Sequence, residues 1–521
     1  MKIIDAKNAV KLIKSHNTLA ISGFAGVSVP EKLLKELEQR FLNEDNPRNI
    51  TLMFAAGQGD GKEKGLNHIA YEGLIKKVVG AHFNLAPKLG NLILNNKVEA
   101  YNLPQGVMCN IFRDIARKTG YTLSRVGIGT FVDPRNEGGK ANDITKEDYV
   151  KLININNEEF LIFKNEKIDA AFIKGTFSDK SGNISMENEA TYSEAFLIAQ
   201  AVKNCGGIVI VQVDDILEQD KIPCQQVKIP GIYVDYVVKV DDDSEKEQIL
   251  GLKYNEGLCG RHKVGNSSEE IVKDNNISIA DKKEKINARQ IIGKRAFMEL
   301  NKGDIVNIGI GVPEEVSKEA EKKNFNEFIT LTVEPGAIGG IPQSGIMFGS
   351  SYNPECIIDQ LSQFDFYDGG GLDVSFLGMA ECDRHGNINV SKFGKKIPGC
   401  GGFINITQNS KKVVFCGTFT AGGLDINVDD GKLGIVHEGK ARKFVERVCQ
   451  ITFSGKFASK KNKDVLYITE RCVFKLFEDG MHLIEIAPGI DIERDIIRLM
   501  DFLPIIDKDL KVMDEACFSL R

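Results

Sequence analysis

Short runs of branched apolar residues alternate along the chain with stretches in which apolar positions recur every three to four residues. Leu19-Ala-Ile-Ser, Ile208-Val-Ile-Val-Gln-Val, Ile305-Val-Asn-Ile and Lys412-Val-Val-Phe-Cys-Gly have the density of β-branched residues expected of strands. These runs lack the clean apolar/polar alternation of a half-solvated sheet, so they predict strands covered on both faces. Segments 8–15, 31–41, 288–300 and 314–323 carry helical spacing, and glycine turns separate them from the strands. The pattern predicts an α/β protein with largely parallel sheets.

The pattern is used twice. Ile50-Thr-Leu-Met-Phe-Ala-Ala-Gly57 resembles Ile329-Thr-Leu-Thr-Val-Glu-Pro-Gly336. Asp169-Ala-Ala-Phe with Asp179-Lys-Ser-Gly-Asn-Ile resembles Asp373-Val-Ser-Phe with Asp383-Arg-His-Gly-Asn-Ile. Cys205-Gly-Gly and Cys400-Gly-Gly follow in the same order, and Gly23-Phe-Ala-Gly-Val-Ser-Val-Pro and Gly309-Ile-Gly-Val-Pro open the two halves. Four matches in matching order imply an internal duplication. The spacing between partners shrinks along the chain, so the first half carries extra residues between its markers. A polar, charged stretch separates the halves, which gives an N-terminal domain over 1–245, a solvated linker over 246–284 and a C-terminal domain over 285–521.

Composition narrows the chemistry. The 521 residues have a formal net charge of −6, without the basic excess of a nucleic-acid binder. No apolar run approaches the roughly 18 residues of a membrane span, and Asp5 stands where a signal peptide would turn apolar. A cytoplasmic protein with no nucleic-acid or membrane partner is expected. The 11 cysteines include no CxxC spacing, so zinc is not indicated. Cys205, Cys400, Cys416 and Cys449 read as reduced, partly buried thiols.

The two repeats differ at one telling place. Where the first half has Ala55-Ala56, the second has Glu334-Pro335. Proline disfavours helix at Glu334 and predicts an extended residue projecting from a strand end, where ligands of open α/β sheets bind. The bare turn Gly336-Ala-Ile-Gly339-Gly340 would let a ligand approach; a surface glutamate beside a turn is the alternative. Gly309-Ile-Gly311 opens a helix in a phosphate-cradling context, without completing a dinucleotide or Walker fingerprint; a tight strand-to-helix turn is the other reading. Gly399-Cys-Gly401-Gly402 could present successive N–H groups to an oxyanion, or be a plain turn. The seven histidines, His82 among them, form no metal pair and read as surface or packing residues.

Longer motifs carry a resemblance. Ser22-Gly-Phe-Ala-Gly26, Tyr101-Asn-Leu-Pro-Gln-Gly106, the stretches 126–135 and 227–236, Thr332-Val-Glu-Pro-Gly-Ala-Ile-Gly-Gly340, Tyr367-Asp-Gly-Gly-Gly-Leu-Asp373, Gly399 through Gln408 and Tyr467-Ile-Thr-Glu-Arg-Cys472 resemble a family I coenzyme A transferase of the propionate/acetate group. The resemblance implies two similar open α/β domains of CoA-transferase, or sugar-phosphate-isomerase-like, fold fused in one chain. It implies CoA transfer between short-chain acyl-CoA thioesters and free carboxylic acids (acetate, propionate, butyrate or lactate type), with CoA as substrate and covalent intermediate. No tightly bound cofactor and no metal would be needed. Glu334 matches the catalytic glutamate, Gly401 and Gly402 the oxyanion loop, Gln105 a glutamine across the domain interface, and Gly309 and Gly311 the glycine loop bordering CoA. A homotetramer is expected. An acyl-CoA hydrolase on the same scaffold and a non-catalytic ligand sensor of the related fold are the rival readings.

Overall fold

The computed structural model describes residues 1–218, 221–260 and 286–519. Each half is built on a ten-stranded sheet. The first runs, in spatial order, through Lys2–Ile3, Tyr236–Lys239, Ile208–Leu217, Ala170–Asp179, Thr18–Ile21, Ile50–Met53, Ile75–Gly80 and Glu99–Asn102, all parallel. Two short strands pair off this path. At the centre of the second lie Asp464–Ile468, Lys412–Cys416, Val374–Gly378, Ile305–Ile308 and Thr330–Thr332, again parallel. The central order is the same in both sheets, strand for strand; antiparallel strands lengthen the second at both ends, whereas in the first the antiparallel pairings are those of the short strand Ile184–Ser185 off the main path.

The repeated aspartates explain the duplication locally. Asp169 accepts from the Thr18 N–H at 3.0 Å, and Asp373 accepts from the Ile305 N–H at 2.9 Å, so each ties two adjacent strand starts together. Asp179 and Asp383 accept from Asn183 Nδ2 and Asn387 Nδ2 at 2.9 and 3.0 Å, closing the same turn twice. In the first half, Tyr121–Ser124, Val150–Ile155 and Glu158–Lys164 form a three-stranded sheet between the paired markers.

The strands are covered on both faces because alternate residues feed different cores. Leu19, Ile21, Val78, Phe172 and Ile210 pack into one cluster, and Ala20, Val79, Ile173, Val209 and Val211 into the other. Leu361, Cys400 and Ile404 of the second half enter one of these cores, and Ile397 enters the other. The halves therefore share apolar packing. Of the stretch read as a solvated linker, residues 261–284 fall outside the described residues. Ile249 and Leu258 pack with Val27, Ala190 and Tyr352, so the beginning of the stretch is anchored between the halves by its apolar side chains.

Helices cover Ala6–Val10, Glu31–Glu44, Ala288–Phe297 and Glu314–Lys322. The first is shorter than its pattern predicts, and a turn follows it, with Leu12 N–H bonded to Ala9 O. Among the described residues no helix is long and apolar enough to cross a membrane. Cys400 and Cys416 are buried and Cys205 is half-buried, whereas Cys449 is exposed.

Candidate active site

The strand Thr330–Thr332 ends in a tight turn closed by Gly336 N–H to Val333 O at 3.0 Å. Glu334 and Pro335 are its two central residues, so Glu334 lies on a turn just past the strand end. Gly336 makes the return possible: its φ is +118°, and a Cβ there would stand 2.0 Å from Ile358 O. The first half holds the turn from outside, through Thr191 Oγ1 donating to Pro335 O at 2.7 Å.

The Glu334 side chain is only 6% exposed, and its Oε2 has no hydrogen-bond partner. Burial pushes its carboxyl up to about 7, against the milder opposing pull of its own backbone and the Asn307 amide. Asn307 sits on the neighbouring strand in register with Thr332. Tyr367, fully buried, donates to Thr332 Oγ1 at 2.8 Å behind it. The surface-glutamate alternative is excluded by this burial.

The glycine loop 399–402 is gripped by strand ends of the first half. Gly401 N–H donates to Ala81 O at 2.8 Å, Cys400 N–H to Asn102 Oδ1 at 2.9 Å, and Gln105 N–H to Gly401 O at 3.0 Å. These bonds correct the expectation of two oxyanion donors. The Gly401 N–H is already spent on Ala81, and only the Gly402 N–H donates to nothing among the described residues. Within the loop φ is +84° at Gly399 and +51° at Gly401, against −79° at Gly402. What Gly402 supplies is room: a Cβ there would stand 3.2 Å from Glu334 Cγ and 3.1 Å from Phe364 Cζ.

Gln105 begins the helix Gln105–Ala116, is 2% exposed, and leaves its Nε2 unpartnered. Its Oε1 would lie 3.8 Å from a Cβ on Gly401. Glu334, Gly401, Gly402 and Gln105 thus converge where the carboxyl ends of the two sheets face each other. Gly309, but not Gly311, borders a neighbouring pocket of about 110 Å³, with Val333, Ser344 and Phe348 in its wall, and Val333 adjoins Glu334 in the chain. The N–H of Gly311 is bonded to the Glu314 carboxylate at 3.0 Å, so this loop is not an open phosphate cradle. Sequence reasoning missed Asn102 and Asn307, whose only signal was their place on strands, and Thr191, which lies in the loop before the helix Ala195–Asn204. It also missed Glu194, a buried residue whose carboxyl oxygens have no partner and whose titration burial pushes to about 8.

The arrangement is a buried carboxylate where the two α/β sheets meet, beside a glycine-framed backbone donor. The chain belongs to the coenzyme A transferase family. The family described as Coenzyme A transferase matches residues 3–240. Over 523 residues the chain is 44% identical to a caffeate CoA-transferase of Acetobacterium woodii, covering 99% of this chain and 97% of that one. It is 42% identical over 517 residues to the acetate CoA-transferase YdiF of Escherichia coli K12, covering 99% and 95%. The crystal structure of the acyl-CoA transferase YdiF apoenzyme from Escherichia coli O157:H7 superposes with a TM-score of 0.93 at 41% identity, covering 100% of this chain and 96% of that one. A thioester complex of the same enzyme with CoA gives 0.91.

Proposed function

We propose that the chain transfers CoA between short-chain acyl-CoA thioesters and free carboxylic acids by a ping-pong mechanism through a glutamyl-CoA thioester on Glu334. The observation that carries this reading is the unpartnered, buried Glu334 Oε2 beside the equally unpartnered Gly402 N–H. Attack of Glu334 on the acyl carbonyl breaks the C–S bond and gives an acyl-glutamyl anhydride and CoA thiolate. The thiolate then attacks the glutamyl carbonyl, the anhydride C–O bond breaks, and the first acid leaves as its carboxylate. The second acid reverses both steps. Energy of the thioester is conserved throughout.

A carboxylate is a weak nucleophile, and burial supports its use here. A site stripped of water strengthens each donor aimed at the developing oxyanion, with one such donor worth roughly 3 kcal/mol. Gly402 N–H fits that role, and the Gln105 amide stands ready beside it. Enclosure between the halves also protects an anhydride from hydrolysis. The pocket by Gly309 and Val333 is the place we assign to the end of CoA nearest the thiol, whose remote binding energy can offset the cost of ordering the reactive groups.

The acids are proposed to be of acetate, propionate, butyrate or lactate type, differing by increments worth about 1–3 kcal/mol in a pocket. Because one similar chain is a caffeate CoA-transferase, the deciding panel should include caffeate. Initial rates at varied acyl-CoA and acid should give parallel double-reciprocal lines. Thiol release that proceeds equally without an acceptor acid would instead make the protein a hydrolase.

A further inference from the structure

A third group at the loop has no role in the reading above. His82 follows the strand Ile75–Gly80 and lies against Gly399, with which it forms a bridge, while Phe83 N–H donates to Pro398 O at 2.7 Å. Gly57 is obligatory behind it, since a Cβ there would stand 1.9 Å from His82 O. This fixes the backbone of His82 beside the glycine loop. Its ring edge then faces the same point as the Gln105 amide: His82 Cδ2 and Gln105 Oε1 would each lie 3.8 Å from a Cβ on Gly401.

The ring nitrogens of His82 have no partner among the described residues. The side chain is crowded by protein on every side and yet keeps part of its surface open. A group that is both deep and reachable lines a cleft. Three donors are therefore left unused around one loop: the Gly402 N–H, the Gln105 Nε2 and one nitrogen of His82. The Gly402 and Gln105 donors are buried, and leaving them without partners costs free energy in the empty protein; an anion with two oxygens would satisfy them together with the half-buried His82.

Resting on the function proposed above, we propose that His82 binds the carboxylate of the incoming free acid, as a substrate-binding residue sharing that anion with Gln105 and Gly402. Glu334 is then esterified to CoA and carries no charge to repel the acid. Burial lowers the His82 imidazolium to about 4, so the ring is neutral in the working range and donates through one nitrogen only. The other nitrogen accepts, and faces whatever hydroxyl or water accompanies the acid.

The test is a single-turnover experiment. Protein is loaded with CoA from acetyl-CoA, desalted, and mixed with increasing acetate while decay of the protein-bound thioester is followed. His82→Phe and His82→Ala, each lacking the donor, should raise the half-saturating acetate concentration about 10- to 100-fold, the loss expected for one hydrogen bond to a charged group. The limiting rate at saturating acetate should change by less than about threefold, and melting temperature should not follow the loss. His82→Gln, which keeps an N–H, should recover half-saturation to within about threefold of native. Half-saturation within twofold of native in both donor-free variants, or a loss confined to the limiting rate, overturns the assignment of His82 alone. Native protein that accumulates no CoA thioester overturns the functional reading and this assignment with it.

Discussion

Glu334→Gln should make the protein more stable at pH 8 while changing it little at pH 5. The native carboxyl is buried, lacks a partner on Oε2 and is pushed from 4.5 to about 7. The folded state therefore holds its proton to higher pH than the unfolded chain does. Between pH 4.5 and 7 the unfolded chain ionises first, and stability falls by 1.36 kcal/mol for each pH unit. The loss is complete above 7, at about 3 kcal/mol, and is still below about 1 kcal/mol at pH 5. Glutamine has no charge to bury, and Asn307 Oδ1, itself without a partner, is placed to accept from the new amide. Glu194 carries a similar penalty, being pushed to about 8, but it is present in both proteins and cancels. At 2–4 °C per kcal/mol for a domain of this size, the variant should melt about 6 °C or more higher at pH 8. Scanning calorimetry of both proteins at pH 5 and pH 8 checks it. An equal difference at the two pH values, or a variant less stable at pH 8, refutes the buried, upshifted carboxyl.

The same titration should govern chemistry: the rate constant for thioester formation with acyl-CoA should rise about tenfold per pH unit below 7 and level off above it, because only the carboxylate attacks. A rate that is flat from pH 5 to 8 contradicts this. Gly402→Val should lower turnover by about 100-fold or more, since Cβ would already crowd Glu334 Cγ at 3.2 Å and displacements of this order cost about that much. Overpacking should cost stability only about 1–3 kcal/mol, and a folded variant with native turnover would remove Gly402 from the site.

Much of the scaffold was legible because it is written in local chemistry. Strand starts at Thr18 and Ile305 could be read from β-branched runs, and the Asp169/Asp373 repeat marks one hydrogen bond made twice. Glu334 stood out because the duplicated turn has alanines in its place. The states of the loop groups were not legible, since they depend on residues far away in sequence. Whether Gly401 or Gly402 offers its N–H is decided by Ala81 O, which meets the loop only once the halves are packed. The turn at Glu334 likewise depends on the antiparallel return of Ala337–Ile338 and on Thr191 from the other half. His82 looks like any scattered histidine until its pairing with Gly399 places it beside Gln105.

The central claim is that Glu334 itself carries CoA. Native protein incubated with acyl-CoA alone, without acceptor acid, should gain the mass of one CoA less one water. Proteolysis and peptide mass spectrometry should then place the adduct on the peptide containing Glu334, and Glu334→Ala should fold but acquire no adduct and catalyse no transfer. An adduct on another residue, or full transfer by Glu334→Ala, would contradict the account.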